Sequence, residues 1–116
     1  MTVMERLIAI MEEIGLPYAY HHFAEGEGPD PPFICFLVPG NDNFAADGLA
    51  YFKIDQVNIE LYTDRKNPDL EDSVETVLDG HGIFYRKTEV WIESEKLYEV
   101  LYQFEQEGVN HAEEKE

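Results

Sequence analysis

The sequence predicts a small α+β domain whose helices and strands follow the order α-β-β-β-α-β-β. Two segments carry helix start and stop signals, several aromatic or β-branched runs have strand character, and no linker or internal repeat divides the chain. With 116 residues, 44% of them hydrophobic, the chain suits one domain and is too short for two ordinary ones. We expect one domain over 1–106 and, because apolar residues become scarce there, a flexible acidic tail over 107–116.

The first segment, MTVMERLIAIMEEIG, is predicted to form a helix. Thr2 and Glu5 have the spacing of a capping box, and Gly15 followed by Leu16 and Pro17 ends the pattern. The apolar residues that recur at helical spacing are Met4, Leu7, Met11 and Ile14. This apolar stripe must pack on a neighbouring layer, which we expect to be a β-sheet.

Three predicted strands follow. The aromatic run PYAYHHF, 17–23, alternates, and EGEGPDPP separates it from FICFLV, 33–38. Because the second run is apolar at consecutive positions, we expect it to be covered on both faces, by helices or by another subunit. In LAYFKIDQVNIELYT, 49–63, the apolar residues change parity after Ile54, which predicts a bulge or sharp bend at Asp55-Gln56.

The second helix has clear boundaries. Asn67 is placed to cap it, Pro68 takes its first position, and Gly80 ends it. IFYRKTEVWIE, 83–93, and LYEVLYQFE, 97–105, are then predicted to form a hairpin. The last run also fits helical spacing, but its alternation and its aromatic and β-branched content favour a strand.

The chain is strongly acidic, with a formal net charge of -17 from 25 acidic and eight basic residues. This balance disfavours nucleic-acid binding, which needs clustered lysine and arginine. An acidic surface can line a channel through which DNA slides without sticking, or can serve solubility alone. No apolar run reaches the roughly 20 residues of a membrane span, and the first helix carries acidic residues unlike those of a signal peptide. We therefore expect the protein to stay in the compartment where it is made.

No motif in the sequence indicates catalysis or metal binding. The stretch PGNDNFAADG, 39–48, is rich in Asp and Asn but lacks the ligand pattern of an EF-hand, so we expect turn chemistry in a loop. His21 and His22 should point to opposite faces of a strand and therefore not bind one ion. Cys35, the single cysteine, excludes an internal disulfide and is expected to be a buried small hydrophobe. We expect no enzyme activity and no cofactor or metal; a hydrolase or metal enzyme is a rival hypothesis.

The aromatic residues point to self-assembly. They exceed what one small sheet with two helices can cover, and Phe44 lies in the middle of a polar stretch. Tyr85 and Trp91 share a parity with Lys87, Glu89 and Glu93, which predicts a mixed aromatic and charged face typical of protein interfaces. The candidate subunit-interface residues are Phe44, Asp42, Asp47, Tyr51, Tyr85 and Trp91.

Residues 17–105 resemble a known group of proteins. The resemblance lies in strand and turn residues: Asp47, Tyr51, Ile59-Glu60-Leu61-Tyr62-Thr63-Asp64, Lys66, Pro68, Glu71, Trp91-Ile92-Glu93-Ser94-Glu95-Lys96, Tyr98, Tyr102 and Phe104-Glu105. In these residues the chain resembles small tail-completion proteins encoded by prophages of Gram-positive bacteria and, more loosely, the tail terminators of long-tailed phages. The acidic extension after Phe104 departs from this family pattern.

The resemblance implies a fold and a function. The fold is an α+β domain with a mixed or mostly antiparallel sheet flanked by two helices. The function is assembly as a homo-oligomeric ring, commonly hexameric, that caps the tail tube, ends its polymerisation and joins it to the head. The implied partners are the tail tube protein and the head-connector protein, with no membrane, no sequence-specific nucleic acid and no cofactor.

The same resemblance implies assembly in the bacterial cytoplasm and a final location in the virion. Each subunit is expected to offer its 39–48 loop to the next, a contact that closes a ring. Two further hypotheses stay open: a head-to-tail connector or stopper of the same virion, and a small regulatory module that binds a metabolite between sheet and helix.

Overall fold

Two helices pack against one face of a five-stranded β-sheet. The computed structural model describes residues 2–46 and 50–107, with backbone alone for 44–46 and 50–52. In chain order the elements are α1 (Val3–Ile14), β1 (Tyr18–Tyr20), β2 (Phe33–Asn41), β3 (Phe44–Ala46), β4 (Ala50–Phe52), β5 (Ile54–Thr63), α2 (Pro68–Gly80), β6 (Arg86–Ile92) and β7 (Leu97–Glu107). The predicted order is confirmed for the helices and the main sheet, and β3 and β4 add a short hairpin. Of the predicted tail, 107–116, Glu107 is the last residue of β7 and 108–116 lie outside the described residues.

Both helices begin as their sequences predict. The Thr2 side chain accepts from the Glu5 backbone N–H at 3.1 Å, and the Glu5 carboxylate accepts from the Thr2 backbone N–H at 3.2 Å, which completes the capping box. At the end of α1, Gly15 adopts a left-handed conformation with φ of 80°, which glycine tolerates best. Asn67 caps α2 through its side-chain oxygen, with Pro68 at the first helical position.

The sheet is mixed and mostly antiparallel, as the resemblance implies. Its strand order is β1-β2-β5-β7-β6, with β1 parallel to β2 and the other neighbouring pairs antiparallel. The predicted hairpin of β6 and β7 is present. β5 and β7, the two longest antiparallel neighbours, pair from Ile54 with Glu107 to Thr63 with Tyr98, so they form the centre of the sheet.

The core lies between the two helices and one face of the sheet. Alternate residues of each long strand point into it, in agreement with the period of two along a strand. The buried apolar cluster consists of Leu7, Ile10, Met11, Ile34, Phe36, Val57, Ile59, Leu61, Val74, Leu78, Val100, Tyr102 and Phe104. Because α1 and α2 both contribute to this single cluster, the opposite face of the sheet has no helix over it in the described residues.

The irregularity predicted at Asp55-Gln56 lies in the neighbouring strand. β5 pairs with β7 in continuous register through these two residues, so the predicted bulge is wrong. The register between β2 and β5 instead shifts between Leu37 and Gly40, where β2 advances three residues while β5 advances two. The parity change in the sequence falls inside β5, between the half-buried Ile54 and the buried Val57, opposite this extra residue of β2.

Candidate functional site

The stretch predicted as a loop, 39–48, is largely β-structure. β2 continues through Pro39 to Asn41, and β3 then pairs antiparallel with β4, from Phe44 opposite Phe52 to Ala46 opposite Ala50. We call this two-stranded hairpin the arm, and its extensive contacts within the described residues are between its own two strands. The prediction of a loop is therefore corrected to a β-arm that extends from the β2 and β5 pair.

Asp42 and Asn43 fix the base of the arm. The Asp42 backbone N–H donates to the Ile54 carbonyl at 2.8 Å, and its carboxylate accepts from the Gln56 side chain at 2.9 Å. The Asn43 side-chain oxygen accepts from the Ile54 backbone N–H at 3.1 Å. These contacts join residues 11 to 14 positions apart in sequence, from the end of β2 to the start of β5, so the two residues hold the base of the arm in place.

A second feature is an ion cluster between α2 and β6. Lys87 Nζ lies 2.8 Å from Glu71 and 2.7 Å from Glu75, and Lys66 Nζ lies 2.6 Å from the other oxygen of Glu71. Lys66 also pairs with Glu89. Glu71 is almost completely buried, with a side-chain exposure of 5%, so its charge needs these partners.

The pKa shifts of the cluster follow from the balance between burial and pairing. Burial alone raises the pKa of Glu71, but hydrogen bonds from Lys66 and Lys87 outweigh it and hold the pKa below its ordinary value. The pKa of Glu75 is likewise lowered because bonds from Lys87 and Tyr102 outweigh burial. Both carboxylates are therefore ionised at neutral pH and connect α2 to the sheet.

Tyr85 and Trp91 lie at different ends of β6 and have different surroundings. Tyr85 packs edge-on against Tyr102, with ring centroids 5.3 Å apart, and belongs to the margin of the core. Trp91 packs on Tyr98 at 4.7 Å and donates to Glu93 at 2.6 Å, yet 40% of its surface is exposed. Phe84, which precedes β6, is 96% exposed. A single exposed aromatic side chain is common on protein surfaces and does not by itself define an interface.

The face of the sheet opposite the helices, which we call the open face, is apolar at its margins and acidic at its centre. One row across it joins Phe33, Tyr62, Glu99 and Val90 on four strands, and the next joins Ala19, Cys35, Glu60, Leu101 and Thr88 on five. Solvated faces of antiparallel sheets usually carry polar residues at these positions. The open face therefore has the composition of a surface that is partly covered, and a cover over both faces of β2 stays a prediction.

Tyr62 stands between two carboxylates on the open face. Its hydroxyl oxygen lies 2.9 Å from Glu60 and 3.0 Å from Glu99. A tyrosine hydroxyl has one proton, so it donates to one carboxylate at a time and the second is left without that bond. Burial raises the pKa of Glu60, and the charge of Glu99 adds to this increase, whereas Tyr62 and His21 oppose it.

The two adjacent histidines do not diverge as predicted. β1 ends at Tyr20, and His21 turns the chain with φ of 68°, a conformation outside the strand. The ring nitrogens Nδ1 of His21 and His22 consequently lie 2.9 Å apart. Across residues 2–46 and 50–107, no three His, Cys, Asp or Glu side chains are grouped to hold a metal ion. No helix in this part of the chain is long and apolar enough to cross a membrane.

No protein-family model and no curated protein sequence matches the chain. Among solved structures, a chain of the "Virion of native gene transfer agent (GTA) particle" is similar, with a TM-score of 0.61 and 13% sequence identity. The similarity covers 92% of this chain and 91% of that one. The two chains share a fold. Because the similarity covers nearly all of both chains, it includes the helices and the sheet together.

The six predicted interface residues fall into separate places. Asp42 lies at the base of the arm, whereas Tyr85 immediately precedes β6 and Trp91 lies on it. Phe44 and Tyr51 belong to the arm strands, with side chains outside the described residues, as is the whole of Asp47. Their role in an interface stays a prediction. The open-face pair of Glu60 and Glu99 was not predicted, because the register that brings them together joins strands 39 positions apart in sequence, from 60 to 99.

Proposed function

We propose that this chain is a structural protein of a phage-type virion that assembles as a ring, caps the tail tube and joins it to the head. The observation that supports the proposal is the fold shared with a virion chain over 92% of this chain and 91% of that one. The resemblance of residues 17–105 to tail-completion proteins supports the finer assignment to a tail terminator. Neither the shared fold nor this assignment requires a cofactor or a bond-making step.

The arm provides a contact suited to ring closure. A ring of identical subunits needs two different patches on each subunit, one that projects and one that receives. The arm is a hairpin that lies outside the five-stranded sheet and carries apolar residues at Phe44, Tyr51 and Phe52. We infer that the arm of one subunit packs on the next, with the mixed surface around Trp91 on β6 as the receiving patch.

The charge of the chain sets a condition on such a ring. Subunits with a net charge of -17 repel one another, so apolar contact must supply the attraction. At roughly 25 cal/mol per Å² of apolar area, an interface of the ordinary size of about 1,600 Å² can supply enough to overcome moderate repulsion. Because salt screens the repulsion more than the apolar contact, the ring should dissociate at low salt.

Light scattering of the full chain tests the ring and the arm together. We expect Phe44→Ala to shift the mass towards the monomer, because truncation of an apolar anchor commonly costs 2 kcal/mol or more, roughly thirtyfold in affinity. Phe84→Ala removes an exposed aromatic outside the arm and is the matched control, which should keep the ring. An unchanged mass for Phe44→Ala would exclude the arm as the contact.

The capping function needs its own measurement. The tube protein of the same virion, polymerised with and without this chain, should give shorter and blunt-ended tubes when the chain is present, as seen by electron microscopy. A chain that binds the head connector and leaves tube length unchanged is a connector or stopper. A chain that stays monomeric at high salt and high concentration contradicts the proposal of a ring.

A further inference from the structure

The open face combines apolar side chains with two carboxylates, and in the described residues no helix lies over it. Its apolar margin consists of Phe33, Cys35, Leu37, Val90 and Leu101. Phe33 stacks on Tyr62 with ring centroids 5.1 Å apart, and Phe23 covers one edge of Phe33 at 5.5 Å. In the described residues, no helix lies over the remainder of this face, where Val90 is exposed and Leu37 and Leu101 are half-buried, whereas Cys35 is buried.

The acidic centre is short of positive charge and of hydrogen-bond donors. The single hydroxyl of Tyr62 is shared between Glu60 and Glu99, so one carboxylate oxygen at a time lacks this donor. His21 lies close enough to oppose the rise in the pKa of Glu60. A group with several donors and a fixed positive charge would satisfy both carboxylates.

Arginine has the required chemistry. Its planar guanidinium carries five donors and keeps its charge, so it can bridge two carboxylates that share one hydroxyl. Charge-assisted bonds of this kind are about twice as strong as neutral ones. The apolar residues around the acidic centre would exclude water from such a contact and would give it area.

We propose that the open face binds a segment of another polypeptide that places an arginine between Glu60 and Glu99 and lays apolar side chains on the surrounding margin. Charge complementarity selects the occupant. A second copy of this chain brings a net charge of -17, whereas a basic segment is attracted.

The inference goes beyond the proposed function, because it names the chemistry of a partner other than a ring neighbour. It does not require the arm. The open face belongs to the five-stranded sheet and the arm is a separate two-stranded sheet.

A matched pair of peptides tests the proposal with the full-length protein. The probe is fluorescein-labelled Val-Thr-Arg-Thr-Val, in which the arginine and both valines share one face of an extended strand. The control peptide has glutamine in place of arginine. We expect fluorescence polarisation to show about tenfold tighter binding of the arginine peptide, the difference that one charge-assisted bond produces.

Variants of the protein locate the site. Glu60→Gln/Glu99→Gln should abolish the preference for arginine, whereas Glu12→Gln/Asp72→Asn, which removes two exposed carboxylates from the helices, should keep it. Glutamine keeps the shape of glutamate and accepts from Tyr62, so circular dichroism should show that the variant folds normally. NMR signals of the Leu101 and Val90 methyl groups should shift with the arginine peptide and saturate.

Three results would overturn the proposal. They are equal binding of the two peptides, an arginine preference that survives in Glu60→Gln/Glu99→Gln, and methyl signals of the open face that change with protein concentration alone. The last result would identify a second copy as the occupant. Light scattering of the same samples distinguishes the ring proposal from the open-face proposal. A monomer that retains the arginine preference contradicts the ring and leaves the open-face proposal standing.

Discussion

Lys87→Met should destabilise the protein by about 2 kcal/mol at neutral pH. Lys87 donates to two carboxylates of α2, at 2.8 Å from Glu71 and 2.7 Å from Glu75, and each charge-assisted bond is worth roughly 1.5–3 kcal/mol when shielded from water. The lysine side chain is 36% exposed, so solvent screens part of this energy. Methionine keeps most of the aliphatic side chain but lacks the ammonium group, which lies 5.9 Å from the centre of the Tyr102 ring, so the loss reports mainly on the charge.

After the loss of Lys87, Glu71 and Glu75 keep different hydrogen-bond partners. Glu71 keeps Lys66 at 2.6 Å, whereas Glu75 keeps only neutral donors, Tyr85 and Tyr102. A buried charge that loses every partner costs 3–5 kcal/mol, and the remaining contacts keep the expected value below that range. Urea unfolding followed by Trp91 fluorescence and circular dichroism, at one protein concentration, gives the free energy of unfolding.

The pH dependence gives the sharper test. Glu71 and Glu75 have lowered pKa values in the folded protein because the lysine bonds outweigh burial, so they bind protons less readily than in the unfolded chain. Their contribution to stability is therefore complete above the ordinary value of 4.5 and disappears as the pH falls through the lower folded pKa. The difference between the wild-type protein and Lys87→Met should shrink over the same interval.

A control and a refuting result follow from the same contacts. Lys96→Met removes an exposed pair, with side-chain exposures of 68% for the lysine and 73% for Glu93, and should cost below about 0.5 kcal/mol. A loss for Lys87→Met as small as that of the control, or one that does not change with pH, would show that the cluster does not stabilise the contact between α2 and β6.

The remaining predictions concern the open face. Burial and then the charge of Glu99 raise the pKa of Glu60 in the folded protein. The ionised form of Glu60 therefore lowers the free energy of unfolding above this folded pKa, and the loss disappears as the pH falls through the folded pKa. Glu60→Gln should accordingly be more stable than the wild type at neutral pH, with a gap in urea unfolding that closes in acid; a less stable variant would contradict this. Burial, Glu60 and Glu99 raise the pKa of Cys35 to about 11, and the residue is 5% exposed, so a disulfide reagent should label it only after unfolding. Rapid labelling of the folded protein would show that Cys35 becomes accessible to solvent without unfolding of the whole domain.

Sequence patterns predicted what depends on near neighbours. The capping residues Thr2 and Asn67 form bonds within three positions, so their spacing alone indicated where the helices begin. Likewise the common parity of Val57, Ile59 and Leu61 placed them on one face, and they form part of the core. These features are local, and local periodicity is sufficient to find them.

Features that depend on the pairing register between strands could not be predicted from local periodicity. The bulge predicted in β5 lies in β2, because a change of parity along one strand does not show which partner carries the extra residue. The alternation of Tyr85, Lys87 and Trp91 in the sequence predicted a mixed aromatic and charged surface of the kind found at protein interfaces. The acidic residues of α2 that pair with Lys87 lie 12 and 16 positions earlier, at 75 and 71, and only the packing of α2 brings them near.

The two proposed surfaces respond to salt in opposite directions, and this separates them. Contact between copies brings together like charges, so screening at an ionic strength where the Debye length is about 8 Å favours the ring. An arginine between Glu60 and Glu99 is held by opposite charges, so the same salt weakens that contact. A ring that strengthens while the arginine preference falls, measured over one salt series, is the result that two independent surfaces require. If both followed salt in the same direction, the arm and the open face would not be separate binding sites of opposite electrostatic character.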